Sequence, residues 1–115
     1  MKLNHLNLTV TDPMAACEFL ERYFGLCARD GGNRGFQVLT DDNGMILTLI
    51  KGRAEHVKYP STFHVGFIQE SEQRVDDINR QLRRDGFEVD APARLHGAWT
   101  FYFTAPGGFT IEVLA

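Results

Sequence analysis

The 115-residue sequence has little cysteine and contains no long run of basic or of apolar residues. Its two cysteines, Cys17 and Cys27, are too few to hold a fold together by disulfides, and they are not spaced like a zinc knuckle. The longest basic run is the pair Arg83 and Arg84, which argues against a nucleic-acid-binding stripe or a polybasic membrane patch. No apolar segment is long enough to span a bilayer or to form the core of a signal peptide. We therefore predict a reduced, cytoplasmic protein that binds neither nucleic acid nor membrane.

The sequence does contain one pattern that occurs twice. In each half, an alternating apolar run is followed by an amphipathic helix that ends at a glycine, and later by a glycine turn and a closing apolar strand. His5 occupies the same place in the first run as His64 does in the second. The matched positions in the two closing strands are Thr48 and Glu112. An internal duplication can bring such matched positions together about a pseudo-twofold axis.

Each half is predicted to fold in the order β-α-β-β-β. Asp12 followed by Pro13 is a strong helix start, and Ser71 is the predicted N-cap of the second helix. Because neither half buries enough apolar surface alone, we predict one domain, 1–115, made of modules 1–52 and 61–115 with a linker at 53–60. The predicted strands are residues 3–10, 26–29, 36–40, 45–50, 63–68, 87–89, 99–104 and 109–114, with a loop at 90–98.

The alternation of apolar and polar residues assigns each predicted strand a buried face. In the first strand, Leu8 and Val10 face one way and His5 faces the other. His64 and Glu112 likewise lie opposite the apolar residues of their own strands. A helix must cover the apolar face, so His5, His64 and Glu112 should all line the opposite face of the sheet. Two imidazoles and a carboxylate form a ligand set that a divalent metal can use.

The order and spacing of these elements are similar to those of a known family. The chain resembles the vicinal oxygen chelate superfamily, which includes glyoxalase I, extradiol dioxygenases, fosfomycin-resistance thiol transferases and bleomycin-resistance proteins. The resemblance covers essentially the whole chain and implies an α+β fold, in which two βαβββ modules form a curved mixed sheet around a cup. It rests on His5 in the first strand, a helix ending in Tyr-Phe-Gly-Leu, the run Phe63-His64-Val65-Gly66-Phe67 and the run Pro106-Gly107-Gly108-Phe109-Thr110-Ile111-Glu112-Val113.

Carried over to this sequence, the family's four ligand positions are His5, Thr48, His64 and Glu112. Thr48 is a departure, because a threonine hydroxyl is a poor metal ligand and no base near neutral pH. This disfavours glyoxalase I activity. The remaining His-His-Glu set is similar to that of the dioxygenases and the fosfomycin-resistance enzymes. The resemblance therefore implies an enzyme that chelates vicinal oxygens of a small substrate through iron(II), manganese, zinc or nickel, acting as a lyase, a dioxygenase or a thiol transferase.

Further side chains are candidates for contacts with the substrate. Glu112 and Tyr102 are the predicted catalytic residues, with Tyr102 as a hydrogen-bond or proton donor. Trp99 offers an aromatic wall, although core packing is the alternative and Tyr102 lies on the opposite face of the same strand. The predicted substrate-binding residues are Asn7, Thr48, Trp99, Tyr102, Arg94 and His96, of which the last two are also readily explained as surface residues.

Two other classes of function remain open from the sequence. A drug-sequestering protein of the bleomycin-resistance type would bury a small molecule in the same cup without chemistry, and its histidines would be hydrogen-bond partners. A regulatory ligand-binding subunit is the third possibility. The resemblance also implies a homodimer, whose modules pair either within one chain or across the two chains.

Overall fold

The computed structural model describes residues 1–53 and 55–115, so one position of the predicted linker, residue 54, lies outside the described residues. The chain divides into two compact units. The first contains Met1–Tyr59 together with Pro106–Gly108, and the second contains Pro60–Ala105 together with Phe109–Ala115. Within the described residues, neither helix is long and apolar enough to cross a membrane.

The first unit is a four-stranded mixed sheet with one helix. Its strand order is β1-β4-β3-β2, in which β1 and β4 are parallel and the other pairs are antiparallel. Asp12 begins the helix by accepting hydrogen bonds from the backbone N–H groups of Met14 and Ala15, and Gly25 ends it with φ 68°. The elements are β1 (His5–Val10), α1 (Pro13–Phe24), β2 (Cys27–Ala28), β3 (Phe36–Thr40) and β4 (Ile46–Lys51).

The core of the first unit lies between the helix and one face of the sheet. Leu8 and Val10 of β1, Leu49 of β4 and Leu20 of α1 are fully buried. Burial of each such side chain stabilises the fold by about 1.5–3 kcal/mol before entropy costs. The opposite face of β1 carries His5, which is exposed. The predicted alternation of this strand is confirmed.

The second unit repeats the same architecture. Its sheet order is β5-β8-β7-β6, again with a parallel first pair. The hydroxyl of Ser71 accepts a hydrogen bond from the Arg74 backbone N–H at the start of the helix. The elements are β5 (Val65–Ile68), α2 (Glu72–Arg84), β6 (Ala93–Leu95), β7 (Ala98–Ala105) and β8 (Phe109–Leu114). The prediction of an α+β fold built from two βαβββ modules is confirmed.

The core of the second unit buries one stripe of α2 against alternate residues of β7 and β8. These residues are Val75, Ile78, Leu82, Phe101, Phe103, Phe109, Ile111 and Val113. Glu112 lies between two of them along β8 and is only partly exposed. The core residues therefore fix which way the Glu112 side chain points, because neighbours along a strand face opposite sides of the sheet.

One strand was predicted in the wrong place. Residues 87–89 form no strand, and β6 lies at Ala93–Leu95, inside the predicted loop. The physical reason is the turn at His96 and Gly97, where φ is 51° and 84°. Two consecutive positive φ values make the tight two-residue connection of a β-hairpin, so Leu95 pairs directly with Ala98.

Candidate metal centre

The first and last strands of each unit pair in an equivalent register. Asn7 of β1 lies opposite Thr48 of β4, and Gly66 of β5 lies opposite Glu112 of β8. Asn7 follows His5 by the same interval at which Gly66 follows His64. The sequence match of Thr48 with Glu112 therefore corresponds to equivalent positions in two similar sheets.

His64 and Glu112 are in contact in the second unit. Nε2 of His64 lies 3.3 Å from Oε2 of Glu112. The other ring nitrogen, Nδ1, lies 3.0 Å from the backbone carbonyl oxygen of Thr62. A carbonyl only accepts hydrogen bonds, so Nδ1 carries a proton in this contact, and Nε2 is the nitrogen presented to Glu112. This is how a metal-binding histidine is usually oriented.

The second carboxylate oxygen of Glu112 has two hydroxyl partners. The Tyr102 hydroxyl donates a hydrogen bond of 2.6 Å to Oε1, and the Thr100 hydroxyl lies 3.1 Å from the same oxygen. The Glu112 side chain is 14% exposed, so these partners compensate a carboxylate that is largely withdrawn from water. The Tyr102 ring also packs edge-on against the His64 ring, with centroids 5.6 Å apart.

Tyr102 is held in its neutral form. Its pKa is raised because the hydroxyl donates to Glu112, because the group is partly desolvated and because the carboxylate charge opposes a phenolate. Near neutral pH, Tyr102 therefore keeps its proton and acts as a hydrogen-bond donor. An open cavity of about 520 Å³ lies beside Tyr102, with Phe87, Val89, Asp90 and Thr104 among its other lining residues.

The remaining predicted ligand positions lie in the first unit. His5 is exposed on β1, and its Nδ1 lies 2.7 Å from Oδ1 of Asn4. The Thr48 hydroxyl donates a hydrogen bond of 2.7 Å to Oδ1 of Asn7. Among residues 1–53 and 55–115, no group of three or more His, Cys, Asp or Glu side chains is arranged to hold a metal ion. The structure thus pairs His64 with Glu112, and the participation of His5 stays a prediction.

Trp99 and Arg94 lie elsewhere in the second unit. The Trp99 indole donates a hydrogen bond of 2.8 Å to Asp76 of α2, so this ring faces the helix and does not join Tyr102 on the side of Glu112. The Arg94 guanidinium lies over the Trp99 ring and forms an ion pair of 2.6 Å with Glu72. The positions of the Trp99 and Arg94 side chains are therefore explained by their contacts with α2 and with each other.

His96 is exposed at the β6–β7 turn. For His96, as for Trp99, Arg94, Asn7 and Thr48, contact with a substrate stays a prediction.

Two contributors to the site were missed from the sequence. Thr100 is buried and reaches Glu112 from the neighbouring strand, and the backbone carbonyl of Thr62 orients His64. The signal for Thr100 was its spacing, because Thr100 and Tyr102 lie two residues apart on one face of β7. No pattern of side chains identifies a backbone carbonyl as a partner.

Comparison with known proteins agrees with this architecture. Residues 2–113 match the model of the Glyoxalase/Bleomycin resistance protein/Dioxygenase superfamily. A possible glyoxalase from Bacillus cereus is 56% identical, with 100% of this chain and 99% of that chain covered and a TM-score of 0.92. None of the curated proteins compared with the chain matches it.

Two more distant structures share the fold. Lactoylglutathione lyase from Agrobacterium tumefaciens is 18% identical, with 98% and 92% of the two chains covered and a TM-score of 0.77. The oxidase ChaP-H2 is 23% identical, with 100% and 93% covered and a TM-score of 0.81. At these identities the likeness concerns the fold alone. The match over nearly the full length carries the assignment: the chain belongs to the Glyoxalase/Bleomycin resistance protein/Dioxygenase superfamily.

Proposed function

We propose that this protein is a divalent-metal-dependent enzyme of the glyoxalase/dioxygenase type that acts on a small molecule with vicinal oxygen atoms. His64 and Glu112 are two of the metal ligands in this proposal. The observation that carries it is the 3.3 Å approach of His64 Nε2 to Glu112 Oε2, with the other ring nitrogen held by a backbone carbonyl. His5 is proposed as the third ligand because it occupies in the first module the position that His64 occupies in the second.

The donor set suits a first-row divalent ion. One imidazole nitrogen and one carboxylate oxygen face each other, and imidazole and carboxylate are ligands that iron(II), manganese, zinc and nickel accept. The remaining polar atoms of both side chains are engaged by Thr62, Tyr102 and Thr100. Partners of this kind orient metal ligands and are worth about 10- to 100-fold in metal affinity. The residues present therefore fit such an ion.

When bound, the ion would act as a Lewis acid that polarises the substrate's oxygen atoms. The chain's own residues have separate tasks. Glu112 would hold the ion, and its Oε1 accepts the hydrogen bond from the Tyr102 hydroxyl. Tyr102 keeps its proton at Oη and donates it to Glu112, so its hydroxyl oxygen can accept a hydrogen bond from a substrate in the adjoining cavity, which is the proposed substrate position. His64 keeps its ring proton on Nδ1 and donates it to the Thr62 carbonyl oxygen, and this hydrogen bond holds the orientation of the ring.

The class of reaction is narrowed by Thr48. Its hydroxyl is engaged with Asn7, and it offers neither a carboxylate ligand nor a base. A dioxygenase or a thiol transferase fits this residue better than glyoxalase I, whose chemistry relies on a pair of carboxylates.

The test is metal binding by the purified protein after anaerobic reconstitution with manganese(II) or zinc(II). Wild-type protein should bind the ion, and the His64→Ala and Glu112→Ala variants should each lose most of that affinity. His56→Ala is the matched control, because His56 is an exposed histidine of the first unit. Equal and negligible binding by the wild type and by Glu112→Ala contradicts the proposal.

The alternative is a small-molecule-binding protein without metal. In that case the His64–Glu112 contact is an ion pair with a protonated imidazole. A ligand that raises the melting temperature equally with and without chelator favours this alternative.

Assembly and location complete the proposal. We propose a cytoplasmic homodimer, whose mass sedimentation equilibrium measures directly. Cys17 and Cys27 are both free thiols, which is compatible with a reducing compartment.

A further inference from the structure

Thr100 is a buried polar side chain on the face of β7 that carries Tyr102, opposite the face that packs against α2. Its exposed fraction is 0%, and it shares that burial with apolar neighbours on β7 and β8. A buried hydroxyl costs free energy unless it is hydrogen-bonded, and valine would fill nearly the same volume without this cost. The hydroxyl of Thr100 therefore calls for an explanation beyond packing.

The contacts of Thr100 give that explanation. Its Oγ1 lies 2.9 Å from the backbone carbonyl oxygen of Val113 and 3.1 Å from Oε1 of Glu112. A hydroxyl has one proton to donate, so these two acceptors compete for it. The carboxylate is the stronger acceptor because it carries charge, whereas the carbonyl contact is shorter. A three-centre hydrogen bond shares the one proton between the two acceptors, so Thr100 contributes to both contacts.

Tyr102 acts on the same oxygen. Its hydroxyl donates to Oε1 at 2.6 Å, so two hydroxyls from one face of β7 converge on one carboxylate oxygen. The other oxygen, Oε2, faces His64 Nε2. The carboxylate is therefore asymmetric before any ion binds, with Oε1 occupied by the protein and Oε2 directed to the ligand position.

We propose that Thr100 is a positioning residue that, together with Tyr102, makes Glu112 bind the metal ion through Oε2 alone. This inference rests on the proposed metal site. Without the Thr100 hydroxyl, Oε1 keeps one hydrogen bond instead of two, and the carboxylate is freer to turn and bring both oxygens to the ion. The expected consequences are weaker binding and a change from one-oxygen to two-oxygen coordination.

The test uses zinc(II) as the probe on the full-length protein. Calorimetric titration should show that Thr100→Val weakens zinc binding by about 10- to 100-fold, the effect typical of a lost partner of a metal ligand. Thr100→Ser restores the hydroxyl and should recover most of the affinity. Thr40→Val is the matched control, because it makes the same change on strand β3, at a position that belongs neither to the proposed site nor to the lining of the cavity. Its zinc affinity should equal that of the wild type.

Infrared difference spectra report the coordination mode independently of affinity. The separation between the antisymmetric and symmetric carboxylate stretches is large for coordination through one oxygen and small for two. The band that disappears in Glu112→Ala identifies the residue. Wild-type protein should show the large separation, and Thr100→Val should show the smaller one.

The outcomes distinguish the two proposals. If the wild type binds no zinc, the metal site and this inference both fail. If the wild type binds zinc and Thr100→Val binds it equally well with unchanged spectra, the positioning role is refuted while the metal site stands. If Thr100→Val does not fold, the wild-type spectrum still decides, because a two-oxygen signature overturns the inference by itself.

Discussion

Substitution of Gly66 would change the surroundings of the Glu112 carboxylate directly. Gly66 lies opposite Glu112 in the register, at the position that Asn7 occupies opposite Thr48 in the first unit. There the amide oxygen of Asn7 accepts a hydrogen bond of 2.7 Å from Thr48. A Cβ placed on Gly66 would lie 3.8 Å from Glu112 Oε2 and 3.7 Å from Leu114, both ordinary contacts. A side chain at Gly66 is therefore tolerated sterically, and its effect on metal binding depends on whether it can form a hydrogen bond with Glu112.

The expected magnitudes differ for two substitutions. Gly66→Ala adds a methyl group without a polar contact and should stabilise the strand by about 0.5–1 kcal/mol, since glycine costs that much in a strand interior. Gly66→Asn places an amide within reach of Oε2, and a hydrogen bond to a charged group is worth about 1.5–3 kcal/mol. That bond must break before a cation binds Oε2, so metal affinity should fall by about 10- to 150-fold.

The assay is a zinc titration of both variants with a thermal melt of the metal-free proteins. Gly66→Ala should bind zinc with nearly wild-type affinity and melt a few degrees higher, since about 1 kcal/mol moves the melting temperature of a small domain by about 4 °C. Gly66→Asn should remain folded and bind zinc weakly. Equal zinc affinity in the two variants would refute the reasoning, because Oε2 of Glu112 would then not be the oxygen that binds the ion.

Three further predictions concern other parts of the chain. Gly107→Ala should destabilise the protein by about 2–5 kcal/mol in denaturant titrations, whereas Gly44→Ala should cost only about 1–2 kcal/mol. Both have positive φ, but only at Gly107 would a Cβ come within 3.1 Å of Val10. Tyr59→Phe should cost about 1–2 kcal/mol, because the hydroxyl bonds the Thr9 N–H and carbonyl. Burial raises the pKa of Tyr59, so wild-type stability should fall above about pH 10, where the unfolded chain ionises first, and the variant should lose this part of the fall. Trp99→Phe should lower the unfolding free energy by about 1 kcal/mol and leave zinc affinity unchanged, since the indole binds α2 and not the Glu112 side.

The helices and most strands could be predicted from the sequence because their signals are local. Asp12 and Pro13 specify a helix start by their own side-chain chemistry, and the alternation of Phe109–Leu114 specifies a strand. The position of β6 could not be predicted in this way. It depends on a left-handed turn at His96, and only the pairing of Leu95 with Ala98 makes a non-glycine residue acceptable there.

The candidate site was only partly readable from the sequence. His64 and Glu112 could be found because each is a polar residue in an alternating apolar run. His64 lies directly before β5 and Glu112 lies within β8, and the two side chains are in contact. Trp99 could not be assigned to a ligand or to the core without knowledge of Asp76, which lies on the helix and offers the acceptor for the indole. Its aromatic character is equally suited to both environments, so composition carries no information about the choice.

Equivalent positions in the two units carry different polar groups. At equivalent places the first unit has Asn7 and Thr48, whose side chains share one short hydrogen bond. The second has no side chain at Gly66, so the polar partners of Glu112 come from β7 and from His64. On the other neighbouring strand, Val38 of β3 lies opposite Thr48, and the equivalent residue opposite Glu112 is Tyr102 of β7.

These differences have one chemical result. The Asn7–Thr48 pair carries no charge, and a neutral amide and a hydroxyl are poor ligands for a divalent ion. A carboxylate with one oxygen held by hydroxyls, and the other facing an imidazole, retains a charged oxygen for a cation. The same strand register therefore holds a neutral contact in the first unit and a charged carboxylate in the second. The two units differ at three of these equivalent positions: Asn7 and Gly66, Thr48 and Glu112, and Val38 and Tyr102. Gly66→Asn tests this reasoning directly, because it gives the second unit the side chain that closes the pair in the first.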